Sequence, residues 1–399
     1  MNALVIGGNF AGITAALELK RKLGAQAEVT VVDPHDDFLF VPSLIWVPFR
    51  RRNIEDITVS RRSILDPKGI RFVRAKAESV DPDTKTVQTT AGEMSYDHLI
   101  IATGPKPDFD VAPGVREHSV YIGDPIGAMK TREKLDAFLL NPGPMVIMAT
   151  QRAGCMGAAY EFLFNLEEWL RAKGVRKQVD LHWVTPETYL GHFGIDGMPG
   201  AEPMLTAFMK MFRIHYHTEA ALKEVLADRV VLDSGEEIAS RFTMVMPPFR
   251  GVEFITDSPK LGAMPNGFLA VGDDYRHPVY PEIWAAGLTV DVPPPFKAGK
   301  VPFNSPKTGY PSDVTGKIVA ENIVRVMNGR TDLKKMAWGR IPGLCVMDAG
   351  KKEVLLVSNH LFKPRQFAVL IPNVFYDVTK LFLEKYFLWK MRHGYGFLP

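Results

Sequence analysis

The chain has 399 residues, 46% hydrophobic and 23% charged, which excludes a disordered or fibrous protein and, at ~150 residues per domain, suggests two or three structural units. Lys plus Arg is 48 and Asp plus Glu is 45, so the net charge of +3 leaves no nucleic-acid footprint, and no nucleic-acid partner is expected. The two cysteines, Cys155 and Cys345, are too few and too far apart for a zinc set or a disulfide framework, and no metal site is expected.

The uncharged run from Met1 to Leu17 is interrupted by Gly7, Gly8 and Gly12. A spanning helix needs about 20 mainly apolar residues. No Lys or Arg precedes Ala3–Ile6, as a secretory signal would require. The chain is therefore expected to open on a buried strand, Ala3-Leu4-Val5-Ile6. A helical pattern with Ile13, Ala16, Leu17 and Leu23 on one side follows, and then a strand, Val29–Val32, closed by Asp33. This strand–turn–helix–strand unit spans about 30 residues. Tyr96–Gly104 reads as another buried strand running into a turn. Met145–Met148 opens a second strand–loop–helix unit, with a helix predicted from about Gly157 to Ala172 and a strand over Val179–Val184. Alternation over Phe268–Val271 predicts a strand leading to Ile283–Gly287, and a long helix is predicted over Asp313–Met327.

The first loop reads Gly7-Gly8-Asn9-Phe10-Ala11-Gly12, and Asp33 follows Gly12 at about the 20-residue spacing of a dinucleotide fold. Gly7 permits the tight turn and Gly12 close helix–strand packing, while the helix N-terminus offers free N–H groups to a pyrophosphate. Asp33 suits ribose hydroxyls. Asn9 stands where the second glycine is usual; asparagine tolerates positive φ better than most residues, so the turn is expected to survive. The motif alone does not separate FAD from NAD. The second loop, Ala149-Thr150-Gln151-Arg152-Ala153-Gly154-Cys155-Met156-Gly157, has lost the first glycines. Thr185-Pro186 follows its next strand with no acid at the tip. NADH and NADPH are therefore not the expected donors.

The strand end Ile100–Gly104 and the segment Ala285-Ala286-Gly287 together resemble the two-dinucleotide flavoproteins, in which the first site holds FAD. That resemblance implies Thr103, Gly104 and Gly287 as further cofactor residues and an α/β fold with two Rossmann-like domains. Gly154-Cys155-Met156-Gly157 through Phe162 resembles the cysteine loop of the sulfide:quinone oxidoreductases. Phe40–Val47, Gly191–Gly194, Pro306–Tyr310 and Glu384–Lys390 resemble other segments of that family, so the likeness runs from residue 4 to residue 394. The organisation implied is a first FAD-binding part at 1–110, a second Rossmann-like domain at 111–265 without a working NAD site, a return to the FAD domain at 266–340, and a quinone and membrane-surface region at 341–399.

The resemblance implies a relay through a Cys155–Cys345 disulfide. Hydrosulfide attacks one sulfur, Cys155 carries the persulfide, and the Cys345 thiolate passes two electrons to the flavin. His192 and Glu161 are candidate proton handlers, and Lys307 a stabiliser of negative charge on the flavin. Pro42, Ser43, Thr308 and Gly309 are implied at the cofactor. A third family cysteine has no match in Tyr121–Asp124, and a nearby family histidine has none at Ala128–Met129, so FAD is expected to be non-covalent. Asn373–His393 carries Phe375, Val378, Phe382, Tyr386 and Trp389 at helical steps, interleaved with Lys380, Lys385, Lys390, Arg392 and His393. It reads as an amphipathic helix at a bilayer surface, with Tyr386 and Phe387 lining a quinone pocket. Sulfide, a membrane quinone, the lipid surface and further copies of the chain are the expected partners, at the cell membrane as a peripheral, monotopic protein. The alternatives are the flavin subunit of a flavocytochrome c sulfide dehydrogenase, a type II NADH dehydrogenase, which the second loop opposes, and a flavin-binding scaffold without turnover.

Overall fold

Ala3, Leu4, Val5 and Ile6 are all buried, as a strand covered on both faces requires, and they form β1 (Asn2–Ile6). The computed structural model describes residues 1–297, 299–350, 353–373 and 378–399. From β1 the chain turns at Gly7–Gly8 into α1 (Phe10–Leu23) and returns as β2 (Glu28–Asp33), followed by β3 (Arg71–Arg74) and β4 (His98–Ile101). The second unit comprises β5 (Met145–Ala149), α2 (Met156–Ala172), β6 (Leu181–Val184), β7 (Ile214–His217) and β8 (Phe242–Met246). The chain then comes back through β9 (Ile283–Ala285) and α3 (Gly309–Met327). It ends in β10 (Gly343–Asp348), β11 (Glu353–Ser358), β12 (Ala368–Asn373) and α4 (Val378–Arg392).

Two parallel sheets result. The first has the order β9-β4-β1-β2-β3, with Val5 opposite both Val31 and Ile100; the second has the order β7-β6-β5-β8. In each, the loop leaving the first strand of the unit (β1 or β5) emerges at the carboxyl edge, where open α/β sheets bind ligands. Pro105–Pro107 and Phe249–Gly251 pair antiparallel where the chain passes between the two units. A third, antiparallel sheet, β10-β11-β12, carries Cys345.

Two sequence expectations fail locally. Phe268–Val271 forms no strand; only Leu269 bridges to Val290, so the alternation reflects burial of a loop. The long helix starts at Gly309 rather than Asp313, with Pro311 in its first turn, where a missing N–H costs nothing.

The C-terminal helix requires a larger correction. Lys380, Glu384, Leu388, Lys390 and Met391 of α4 are buried. Lys390 Nζ lies 3.0 and 3.1 Å from the Asp313 carboxylate oxygens, and Asp313 also accepts from Thr14 Oγ1 at 2.6 Å. Glu384 pairs with Arg52 at 3.0 Å and accepts from Ser43 Oγ at 2.7 Å. Lys380 and Lys390 therefore face buried carboxylates, not lipid, because a buried ammonium is tolerated only beside such a partner. The outward face of α4 carries Val378, Phe382, Lys385, Trp389 and Arg392, and the exposed His393 follows its last residue. Phe375 lies outside the described residues. Among those residues no helix is long and apolar enough to cross a membrane.

Candidate functional site

The first loop forms a cradle that side chains cannot enter. A Cβ on Gly12 would sit 1.8 Å from Gly7 O, and one on Gly7, at φ +103°, would sit 2.3 Å from Ala102 O. Asp33 closes β2 and locks the loop: its carboxylate accepts from Gly8 N–H at 2.7 Å and His35 N–H at 2.9 Å, and Arg61 lies 3.2 Å away. Arg61 went unread in the sequence, where it follows a short strand with no signal around it. Its guanidinium is buried, donates to Gly8 O and His35 O, and has its pKa pulled down by that burial. Asn9 does not mimic glycine. Its φ is −112°, because it is the N-cap of α1 rather than the apex of the turn. Its side-chain Oδ1 is buried without a partner. A glycine cradle, an orphaned polar atom and the free N–H groups of α1 together fit a dinucleotide pyrophosphate.

Phe10 packs beside this loop against Phe38, Phe40 and Phe387, with ring centroids 5.2, 6.1 and 4.9 Å away. Phe387 of α4 thus reaches the cofactor loop. Its neighbour Tyr386 points elsewhere, stacking between Phe382 and Trp389 and donating to Pro399 O at 3.3 Å. The two expected quinone residues diverge because adjacent helical positions cannot share a face. Ser43 is committed to Glu384, and Pro42 beside it is exposed. Gly287, at φ +74°, is needed where the backbone meets α1; a Cβ there would lie 2.8 Å from the Ala11 Cβ. Thr103 meets Thr289 at 3.2 Å, Gly104 is left-handed at φ +67°, and Thr308 is the N-cap of α3, whose first residue is Gly309. Lys307 Nζ donates to Leu288 O at 3.1 Å and Val290 O at 2.7 Å, and burial pulls its pKa down to about 7.

The second loop is filled where the first is empty. Gln151 donates to Leu222 O at 3.0 Å and accepts from Leu222 N–H at 2.9 Å, so its side chain is a built-in strand partner. A cleft of about 1430 Å³ opens at this edge of the second sheet, lined by Gln151, Arg152, His217 and Lys300 among others. Cys155 is the N-cap of α2, and the amides of Gly157 and Ala158 act to lower its pKa; burial outweighs them and raises it. Burial also pushes Cys345 up to about 12, helped by Glu161 and Cys155 and opposed by Lys380. Both thiols are free, each only partly exposed.

Glu161 joins the pair. It is no solvated helix acid: its Oε1 accepts from Asp348 N–H at 3.1 Å and pairs with the buried Lys380 ammonium, and burial raises its pKa while Lys380 holds it down. Lys380 Nζ lies 4.8 Å from the centroid of the Trp46 ring, and Trp46 Nε1 donates to Asp348 at 2.6 Å. The structure thus brings together Cys155, Cys345 and Glu161, and adds Lys380, which the sequence placed at the bilayer. Lys307 is one link away, its N–H donating to Gly154 O at 3.0 Å. His192 is buried between Phe296 and Phe303, with Nδ1 unpartnered, Nε2 3.7 Å from Asp196 and its pKa lowered by burial.

The two Rossmann units, a glycine cradle on the first and a cysteine at the helix cap of the second, are the arrangement of a two-dinucleotide oxidoreductase, and the pyridine nucleotide-disulphide oxidoreductase family model matches residues 1–135. The sulfide-quinone reductase of Aquifex aeolicus (strain VF5) is 33% identical, covering 98% of this chain and 91% of its own, and the sulfide:quinone oxidoreductase X-ray structure from that species superposes with a TM-score of 0.94 over 98% of this chain and 92% of its own. The mitochondrial sulfide:quinone oxidoreductase of Mus musculus is 27% identical over 76% of this chain and 68% of its own. NDH2 of Plasmodium falciparum, 13% identical over 99% of this chain and 96% of its own, shares the fold with a TM-score of 0.75. The chain belongs to the sulfide:quinone oxidoreductase family.

Proposed function

We infer that this chain is an FAD-dependent sulfide:quinone oxidoreductase, and the observation that carries the reading is the Cys155–Cys345–Glu161 cluster beside a second nucleotide loop filled by its own side chains. FAD is held by Gly7, Gly8, Asn9, Phe10, Ala11 and Gly12 with Asp33, and no cysteine occupies Tyr121–Asp124 to attach it covalently. Bound there, the flavin supplies two-electron transfer between the cysteine side and the quinone.

The reactive form of the pair is the Cys155–Cys345 disulfide. Hydrosulfide forms a new S–S bond to Cys155 as the Cys345 sulfur leaves with the electron pair of the old one. Cys155 is then a persulfide and Cys345 a thiolate. Glu161 takes the sulfide-derived proton, a role suited to a buried carboxyl with a raised pKa. Lys380 offsets the charge on Glu161 and favours the Cys345 thiolate. Lys307 is placed to meet negative charge on the reduced cofactor. Phe387 stands on the quinone side. The exposed Phe382, Lys385 and Trp389 suit peripheral binding to a bilayer, and assembly with further copies of the chain belongs to the same reading.

One experiment tests it: holoenzyme on anionic vesicles containing a quinone, kept anaerobic. Sulfide bleaches the flavin and yields quinol, NADH does neither, and the protein pellets with the vesicles until salt is added. Acid releases the flavin from the chain. Bleaching by NADH but not by sulfide overturns the assignment.

A further inference from the structure

Glu187 lies just beyond β6, fully buried, and the reaction above makes no use of it. Its Oε2 accepts from Tyr160 Oη at 2.7 Å and Thr185 Oγ1 at 2.8 Å; its Oε1 accepts from Phe193 N–H at 2.7 Å. The His192 amide also faces it, and Gly191 N–H donates to Tyr160 Oη at 3.4 Å. Gly191, Phe193 and Gly194 take φ values of +84°, +54° and +71°, which turn the amides of the loop inward. Such a concavity of N–H groups binds anions. Here the anion is the protein's own carboxylate.

The clamp joins two parts of the sulfide site. Tyr160 belongs to α2, the helix that Cys155 caps. On the other side of the loop, the His192 ring is 4.6 Å from Phe303. A Cβ on Gly194 would lie 2.2 Å from Asn304 O and 3.1 Å from Met156 Cε. Asn304 Nδ2 donates to Arg152 O at 3.1 Å. Movement of the loop is therefore felt at the backbone leading into Cys155 and at the segment leading to Lys307.

We propose that Glu187 is a positioning residue for the sulfide half-reaction: as an anion it pins the 189–194 loop to the Cys155 helix, and on protonation it releases it. Four donors converge on the carboxylate, and two of them, the Phe193 and His192 amides, can only donate, so protonation of Glu187 weakens its hold on the loop backbone. Burial pushes its pKa up to about 7, against the pull of Phe193, Tyr160, Thr185 and His192. The other titratable group that couples to it is Tyr189, and among the described residues no cation pairs with it. This inference rests on the sulfide:quinone reading for its kinetic arm only.

The holoenzyme, E187Q and Y160F are compared between about pH 6 and pH 8, following flavin bleaching by sulfide and, separately, reoxidation of photoreduced flavin by quinone. The ratio of wild-type to E187Q bleaching rates rises with pH from near unity to about tenfold, because ionisation of the substrate cancels in the ratio. Y160F removes a bond to the charged form and moves the wild-type midpoint near 7 upward. Quinone reoxidation stays within about twofold throughout. A pH-independent ratio, or an unmoved midpoint in Y160F, overturns the proposal, and the second arm stands if E187Q does not fold. Amide exchange at Phe193 reads the clamp without turnover: wild-type protection rises through pH 7 and that of E187Q does not, whether or not sulfide is the substrate. Flat wild-type protection overturns the proposal on its own.

Discussion

The two strand–loop–helix units use one frame for opposite ends. In the first, Gly12 sits where any Cβ would be 1.8 Å from a carbonyl oxygen, so the loop stays bare and its amides face outward to a ligand. In the second, a Cβ on Gly157 would meet nothing nearer than Met347 Sδ at 4.0 Å, while the Gln151 side chain occupies the loop and bonds to Leu222. Both helices begin with a residue in extended conformation, Asn9 and Cys155. A helix N-terminus favours negative charge, whether it comes from a pyrophosphate or from a thiolate. The second unit has thus put a cysteine sulfur at the helix N-terminus where the first leaves room for an anion. This is why a chain with two Rossmann units is not expected to take electrons from a nicotinamide.

That exchange is tested most severely at the sulfurs. Cys345→Ser and Cys155→Ser are each expected to slow sulfide-driven flavin bleaching by about a thousandfold or more, with flavin content unchanged. Near-normal stopped-flow rates in both variants would reject the relay and leave two inert cysteines.

A paired substitution sharpens the contrast between the loops. Gly12→Ala must displace backbone, since Gly7 O has nowhere to go, and such overpacking costs about 1–3 kcal/mol or more. The purified variant is expected to carry about tenfold less flavin, read from its visible absorbance against that of the protein. Gly157→Ala keeps its full complement, because its Cβ enters open space. Equal flavin in the two variants would mean that the first loop is not the cofactor cradle.

The first unit could be read from the sequence because its chemistry is local: Gly7, Gly12 and Asp33 are tied to one turn and one strand end. The cysteine pair could be read only through resemblance, since Cys345 lies on a third sheet that packs against the Cys155 helix and no spacing reveals it. Lys380 and Lys390 were misplaced for a related reason. Their helical spacing suits a basic outer face, and only the tertiary partners Glu161 and Asp313 show that they point inward. Arg61 left no signal because it serves a backbone loop distant in sequence, and Glu187 left none because its part depends on Tyr160 of α2. Glu187 lies three residues beyond β6, too far past the strand tip for the usual ribose acid, and turns to α2 instead.

The smallest expected effect comes from Lys307, the residue that ties the two units together through Gly154. Its ammonium lies 3.8 Å from the centroid of the Phe268 ring and donates to two carbonyls, yet burial still brings its pKa down to about 7, with Asp291 opposing. An unfolded lysine titrates near ~10.4. Between those values the unfolded chain holds more protons than the flavin-free native protein, so native stability rises with pH across that window. Below about pH 7 both states are charged and the slope vanishes. Lys307→Met removes this dependence. Unfolding free energies of the flavin-free wild type from urea titration, taken relative to Lys307→Met, should therefore climb from pH 7 to pH 9.5 by an amount on the order of 1 kcal/mol. Flavin that places negative charge beside Nζ raises the pKa and flattens the climb. A wild-type midpoint that falls relative to Lys307→Met over the same range would show a lysine charged in the native state, solvated rather than held for the cofactor.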